Sequence, residues 1–367
     1  MKGFGMIVAT VAVSLCFSTC LGWAGQVLPL GLPPVPVPGD NPQGPEKIAL
    51  GKKLFMDERF SADGTISCST CHIQKKAFTD GLPIAKGIKG LEGTRNSPTV
   101  VNAAYYKEQF WDGRVASLEE QAKGPFVNPV EHGLKDFKPI IEIIKKDPDY
   151  PSMFRKAFGI EPQGITIDHV VKAIASFERT VISGDSPFDR YMYGRQKSAM
   201  SEAAIRGLQV FRTKGRCQDC HRIEQTSATF TDNKYHNLGV GFSLVEPELF
   251  DIVEKVKKAK KAGIELDGSI LGSKKVSELG RFVVTLDLED IGRFKTPTLR
   301  NVAVTGPYMH DGSIETLEEV IDLYDQGGED NPMLDSGIRP LRLTDQEKAD
   351  LVEFLKALTS PEYENKK

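Results

Sequence analysis

Cysteine and histidine are scarce in this chain, with six of each among 367 residues. Cys16 and Cys20 lie in an apolar N-terminal run, which leaves Cys68, Cys71, Cys217 and Cys220 for the body of the protein. A disulfide scaffold spreads its cysteines along the chain. Here all four fall in two C-x-x-C pairs, and each pair is followed by histidine. Charge of one sign is also lacking. Lysine and arginine total 47 against 50 acidic residues, a net −3, which argues against a nucleic-acid partner. Sustained period-two alternation is absent, so a β architecture is not expected. The N-terminal apolar run is too short and too weakly flanked for a stable membrane span.

That run reads as an export signal. Lys2 supplies the positive start, Met6 to Leu21 the apolar stretch, and Ala24 a small residue for cleavage. Residues 1–24 are therefore expected to be removed, and the remainder to work in the periplasm. Lipidation at Cys20 is the lesser alternative, because Thr19 suits it poorly.

Residues 25–45 are rich in proline and glycine and read as an extended arm. A helix is expected from Pro45. Gly51-Lys-Lys-Leu-Phe55 precedes the first cysteine pair, as Gly207-Leu-Gln-Val-Phe211 precedes the second. Each half closes on an amphipathic segment, Ile167 to Ile182 and Asp345 to Leu358, with Thr344 and Glu347 forming a capping box. This order predicts an all-α fold of two cytochrome c-like domains related by internal duplication, with long loops. The boundary falls in Ser183 to Gly194, giving domains 25–185 and 186–367. A short strand at Arg281 to Leu286 is allowed. Leu249 to Lys275 carries Lys255, Lys257, Lys258, Lys260 and Lys261 with little apolar face, and reads as a solvated surface insertion.

Cys68-Ser-Thr-Cys71-His72 and Cys217-Gln-Asp-Cys220-His221 have the spacing of covalent c-type haem attachment. Two thiols add to the two vinyl groups on one porphyrin edge, and the adjacent histidine reaches the iron. A thioredoxin-like pair would need a βαβ setting, and a shared zinc site would leave the placing of both histidines unexplained. Two haems suggest divided labour, with one iron open for chemistry and the other handling electrons.

The chain resembles the bacterial di-haem cytochrome c peroxidase and MauG family from about Pro45 to Leu358. The resemblance rests on Arg95-Asn96-Ser97-Pro98-Thr99, Gln109-Phe-Trp-Asp-Gly-Arg114, Glu119-Glu-Gln-Ala-Lys-Gly-Pro125, Asn128-Pro-Val-Glu131, Thr296-Pro-Thr-Leu-Arg-Asn301 and Gly306-Pro-Tyr-Met-His-Asp-Gly312. It implies reduction of hydrogen peroxide at the first haem, held by His72, with electrons from a cytochrome c or a cupredoxin. It makes Glu131 the distal acid–base residue, Gln121 a distal hydrogen-bonding residue and Trp111 the aromatic between the haems. It places a calcium ion on Asn96 and the carbonyls of Thr305 and Pro307, and it allows a homodimer. His310 and His236 are expected near the second haem, and His132 and His169 in packing or surface roles.

Two departures from the classical peroxidases bear on mechanism. Where many carry a blocking histidine after the first haem motif, this chain has Ile88, which implies a first haem open without reductive activation. The sixth ligand of the second haem, a methionine in those enzymes, is matched by Tyr324, as in MauG, with Met309 as competitor. MauG has a tryptophan before its second haem motif, where this chain has Gly215 and Arg216. A MauG-like oxidation of a partner protein is thus the second reading, and a pure electron carrier the third.

Overall fold

The computed structural model describes residues 28–264, 266 and 272–364. The export signal lies outside the described residues. Helices dominate. In chain order they are α1 (Pro45–Phe55), α2 (Cys68–Cys71), α3 (Leu118–Gln121), α4 (Gly124–Val127), α5 (Lys138–Lys146), α6 (Tyr150–Phe158), α7 (Ile167–Glu178), α8 (Pro187–Met192), α9 (Glu202–Arg212), α10 (Phe242–Val245), α11 (Leu249–Lys261), α12 (Lys274–Ser277), α13 (Phe282–Thr285), α14 (Leu317–Gln326) and α15 (Asp345–Lys356). Two short strands, β1 (Tyr235–His236) and β2 (Phe294–Lys295), pair antiparallel.

Two crossed helix pairs carry the cores. In α1, Leu50, Leu54 and Phe55 recur at helical spacing and are fully buried against Val170, Ile174 and Phe177 of α7. Glycine permits the crossing. A Cβ at Gly51 would lie 1.8 Å from the carbonyl oxygen of Ala173. The pair α9 and α15 repeats the device, since a Cβ at Gly207 would lie 1.9 Å from the carbonyl oxygen of Asp350. Phe211 packs there on Phe354, with ring centroids 4.9 Å apart. Each buried phenylalanine contributes about 2–3 kcal/mol through burial.

The expected helices are present, and α7 is shorter than the sequence suggests. It ends at Glu178, and Thr180 turns its hydroxyl onto the carbonyl of Phe177. Thr344 and Glu347 cap α15 reciprocally. Two expectations are corrected. The segment Arg281 to Leu286 is not a strand, because Phe282–Thr285 is helical and buries Phe282 and Val283. The lysine-rich segment has an apolar face after all. Ile252, Val253 and Val256 of α11 join Phe242, Val245 and Leu279 in a small third core, leaving the lysines outward. Spacing hid this face, since the three apolar residues are few among charged ones.

The N-terminal arm crosses both halves without regular structure. Arg300 Nη2 and the Ala228 N–H both donate to the carbonyl of Gly31, and the Tyr105 hydroxyl donates to that of Pro33. Arg300 is anchored in turn by Asp189 at 2.8 Å, both being buried. Among the described residues no helix is long and apolar enough to cross a membrane.

Candidate active site

Each C-x-x-C-H motif places its histidine in the same way. Ser67 and Thr70 cap α2 reciprocally, and His72 follows at its C-terminal end. The Nδ1–H of His72 donates to the carbonyl of Phe78 at 3.1 Å, and that of His221 to Phe230 at 2.9 Å. Both phenylalanines adopt the left-handed conformation that turns their carbonyls inward, with φ of 58° and 54°. A donor role for Nδ1 fixes the tautomer and leaves Nε2 with the lone pair a metal takes. Burial lowers the pKa of both imidazoles, so both are held neutral.

The four cysteines form no disulfide. Burial pushes the Cys71 and Cys217 thiols up to about 12. Protonated thiols are poor zinc ligands and poor redox nucleophiles. They suit S–H addition to a vinyl group. A cavity of about 280 Å³ adjoins the second motif, lined by Cys217, Cys220, His221, Met309 and Tyr324 among others. The residues at both motifs therefore fit haem c. Cys220, Asp232 and His236 also lie close enough together to suggest a metal site. Cys220 belongs to the second C-x-x-C-H motif, however, and His236 is clamped by Asp335 at 2.6 Å and Asp232 at 3.1 Å.

The walls of the two sites correspond residue by residue. Gly87 and Gly239 each press on a backbone carbonyl, that of Val130 and that of Glu329, leaving room for no Cβ. The next residue is apolar in both. Ile88 is buried and its N–H donates to the Glu131 carbonyl, while Val240 lines the second cavity. Farther on, Ser117 and Thr316 cap equivalent helices. After Thr316 one helix runs through Leu317–Gln326 and carries Tyr324 into the cavity. After Ser117 the helix breaks, because Gly124 and Pro125 cannot continue it. Pro125 stands at the same distance from its cap as Tyr324 and has no ligand atom.

Glu131 lies in the turn that follows α4. The Asn128 side chain accepts from its N–H at 3.3 Å, and its carboxylate is close enough to hold both Cys71 and Cys68 further protonated. Gln121 ends α3, half-buried. Trp111 donates from Nε1 to the carbonyl of Asn96 at 3.0 Å and lines the second cavity. Asn96, Thr305 and Pro307 line that same cavity. Asn96 gives its amide N–H to Leu82, which leaves its oxygen as the end able to meet a cation.

Both competitors for the second iron, Tyr324 and Met309, line the cavity. Burial raises the Tyr324 phenol, with both cysteine sulfurs adding to the effect. His310 also lines the cavity, but its Nε2 is held by Glu278 at 2.6 Å and its ring stacks on Phe294. His132 is buried on Phe60 and Phe126, and His169 caps α7 with Thr166. Sequence reasoning passed over Pro125, Val240, Glu178, Glu108 and Tyr235. Parallel segments such as Phe78-Thr-Asp80 with Phe230-Thr-Asp232 were the signal that could have found the first two.

The family model for di-haem cytochrome c peroxidase matches residues 45–197. The cytochrome-c peroxidase IdrP1 of Pseudomonas sp. (strain SCT) is 38% identical over 97% of this chain and 92% of its own length. The methylamine utilization protein MauG of Methylorubrum extorquens is 38% identical over 88% of this chain and 81% of its own. The crystal structure of a MauG-like protein associated with microbial copper homeostasis superposes with a TM-score of 0.75. It is 33% identical and covers 92% of this chain and 97% of its own. The paired haem motifs, the shared wall geometry and these likenesses agree, and the chain belongs to the di-haem cytochrome c peroxidase and MauG family of c-type oxidoreductases.

Proposed function

We propose that this chain reduces hydrogen peroxide at the first haem site, with Glu131 as the acid–base residue. The observation that carries this is the asymmetry of the two walls: Pro125, with no ligand atom, stands where the second half has Tyr324, which lines the second cavity, and Ile88 brings only an apolar side chain. Haem, when bound, supplies an iron that takes peroxide and holds oxidising equivalents. The protein supplies proton movement. Glu131 takes the proton from the near oxygen of peroxide and returns it to the leaving oxygen, and Gln121 hydrogen-bonds the oxygens. Each turnover consumes one peroxide, two electrons and two protons and yields two waters. His72, held by Phe78, keeps its ring orientation through the cycle.

Trp111 lies between the sites and relays electrons from the second haem, held by His221 and Tyr324. A small redox protein, a cytochrome c or a cupredoxin, restores those electrons. Asn96 and the carbonyls of Thr305 and Pro307 hold calcium beside Trp111, an oxygen set suited to a hard cation. The two halves, 25–185 and 186–367, arise from internal duplication. The matched glycine crossings, left-handed phenylalanines and capped helices support that reading. The work is periplasmic, after removal of residues 1–24, and a homodimer is its allowed assembly.

Tyr324 favours a second reading, in which the oxidising equivalents are spent on residues of a partner protein, as in MauG. Stopped-flow mixing of the diferric protein with peroxide, with and without reduced cytochrome c, separates the two. Rapid catalytic cytochrome oxidation without pre-reduction supports the peroxidase. A long-lived oxidised state that ignores the cytochrome supports the second reading.

A further inference from the structure

Strand β1 brings a tyrosine to the seam between the two sites. Strand β1 sends its two side chains to opposite faces. His236 goes to the wall of the second cavity, and Tyr235 goes to the seam beside the Trp111 segment. There the Tyr235 hydroxyl donates to Glu108 Oε2 at 2.5 Å. That hydroxyl rests on Gly113, where a Cβ would lie 1.6 Å from it, and Gly113 is two residues beyond Trp111. The residue paired with Tyr235 across the strands, Lys295, gives its backbone N–H to the Trp111 carbonyl at 2.8 Å.

Oxidising a phenol near neutral pH requires that its proton leave with the electron. A carboxylate already hydrogen-bonded to the hydroxyl can take that proton without rearrangement. Glu108 is held for this role. Arg281 Nη2 donates to its other oxygen at 3.2 Å, while Arg281 Nη1 donates to the carbonyls of Asp112 and Gly113. Lys295 Nζ donates to the Glu108 backbone carbonyl. The Glu108 side chain is 36% exposed, so the pair reaches solvent on one side and the Trp111 backbone on the other. Burial and Glu108 both raise the phenol's pKa, so the group is a protonated donor at rest. Tyr106 is a useful contrast. It lines the second cavity, yet its hydroxyl accepts from the Thr298 N–H, and Lys295 Nζ lies 3.8 Å from its ring centroid. Arg281 lies over the Tyr235 ring in the same way, 4.3 Å from its centroid, so the contrast is in the hydroxyl: among the described residues no carboxylate meets that of Tyr106.

We propose that Tyr235 is a redox-active residue that gives an electron to oxidised Trp111 and its proton to Glu108. The tyrosyl radical then regains an electron from the reduced donor protein and its proton from Glu108, so both balances close. The inference rests on the relay role given to Trp111. It supplies a route to the surface that does not use the position before the second motif, where Gly215 and Arg216 stand.

The test is freeze-quench EPR of the di-haem protein mixed with one equivalent of peroxide and no donor, prepared with ring-deuterated tyrosine. The expected result is a radical whose line shape responds to the deuteration. It is lost in Tyr235→Phe, reduced at least tenfold in Glu108→Gln and retained in Tyr106→Phe. A signal that persists in Tyr235→Phe overturns the proposal. So does peroxide oxidation of the haem bands with no tyrosine signal, which leaves the peroxidase reading standing. Haem bands that peroxide leaves unchanged overturn that reading and this inference together.

Discussion

The two halves hold their histidines alike and finish their haem pockets differently. In the first, a proline breaks the helix after Ser117, an isoleucine covers the face and Glu131 comes in beside it. In the second, an unbroken helix carries Tyr324 into the cavity, and the acid in the sequence position matching Glu131, Asp330, is exposed. The walls differ again at the closing helices. The crossings at Gly51–Ala173 and Gly207–Asp350 set Glu178 of the first half equivalent to Leu355 of the second. Leu355 lines the second cavity, whereas Glu178 is buried near Cys68 with one carboxyl oxygen lacking a hydrogen bond. One scaffold thus carries two differently lined sites through a few side chains, while the helix pairs stay constant.

The largest expected effect comes from removing the proposed acid–base residue of the first site. Glu131→Gln should lower kcat by about 10²–10⁴ while both haem spectra stay intact, since proton transfer is lost and binding is not. Full activity by stopped flow would remove Glu131 from the mechanism. Next, the first site can be made to resemble the second. Ile88→His should give its iron a second axial ligand, convert the as-isolated ferric haem from high to low spin, and cut peroxide turnover without pre-reduction by at least tenfold, roughly 1.4 kcal/mol or more in barrier. An unchanged EPR spin state would show that the loop does not present residue 88 to the iron.

The converse change acts on the second site. With Tyr324 as the iron ligand proposed above, Tyr324→Met exchanges an oxygen ligand for a thioether and should raise that haem's midpoint potential by on the order of 100 mV in spectroelectrochemical titration. An unmoved potential, with Met309→Leu shifting it instead, would reassign the ligand. The smallest effect concerns Glu178. Burial pushes its carboxyl up to about 8 from an ordinary value of 4.5. The folded protein therefore keeps a proton that the unfolded chain releases, and stability should fall as pH rises from about 4.5 towards 8. Glu178→Leu, copying the second half, should flatten that fall, by on the order of 1–3 kcal/mol at pH 8. Calorimetric Tm values at pH 5 and 8 that decline equally in both proteins would refute this.

Much of this contrast was legible before the fold. The haem cysteines and histidines are adjacent in sequence because attachment chemistry demands it. The helix pairs follow from apolar spacing at Leu50, Leu54, Phe55, Val170 and Ile174. The insertion's third core was not legible, because three apolar residues among many lysines carry little periodicity, and burial there depends on distant Phe242 and Leu279. Tyr235 and Glu108 were not legible either, being 127 residues apart and joined only where the halves meet.

By itself, then, the sequence determined what is local: two haem attachments, their helices and caps, and a first site with isoleucine where a ligand could have been. The tertiary structure decided what requires distant segments to meet. It set Pro125 and Tyr324 in equivalent places, did the same for Glu178 and Leu355, and joined Tyr235 to Glu108 at the seam. Local steric and hydrogen-bonding rules act over a few residues, whereas pocket walls and proton acceptors form only when burial of the cores brings remote chain together.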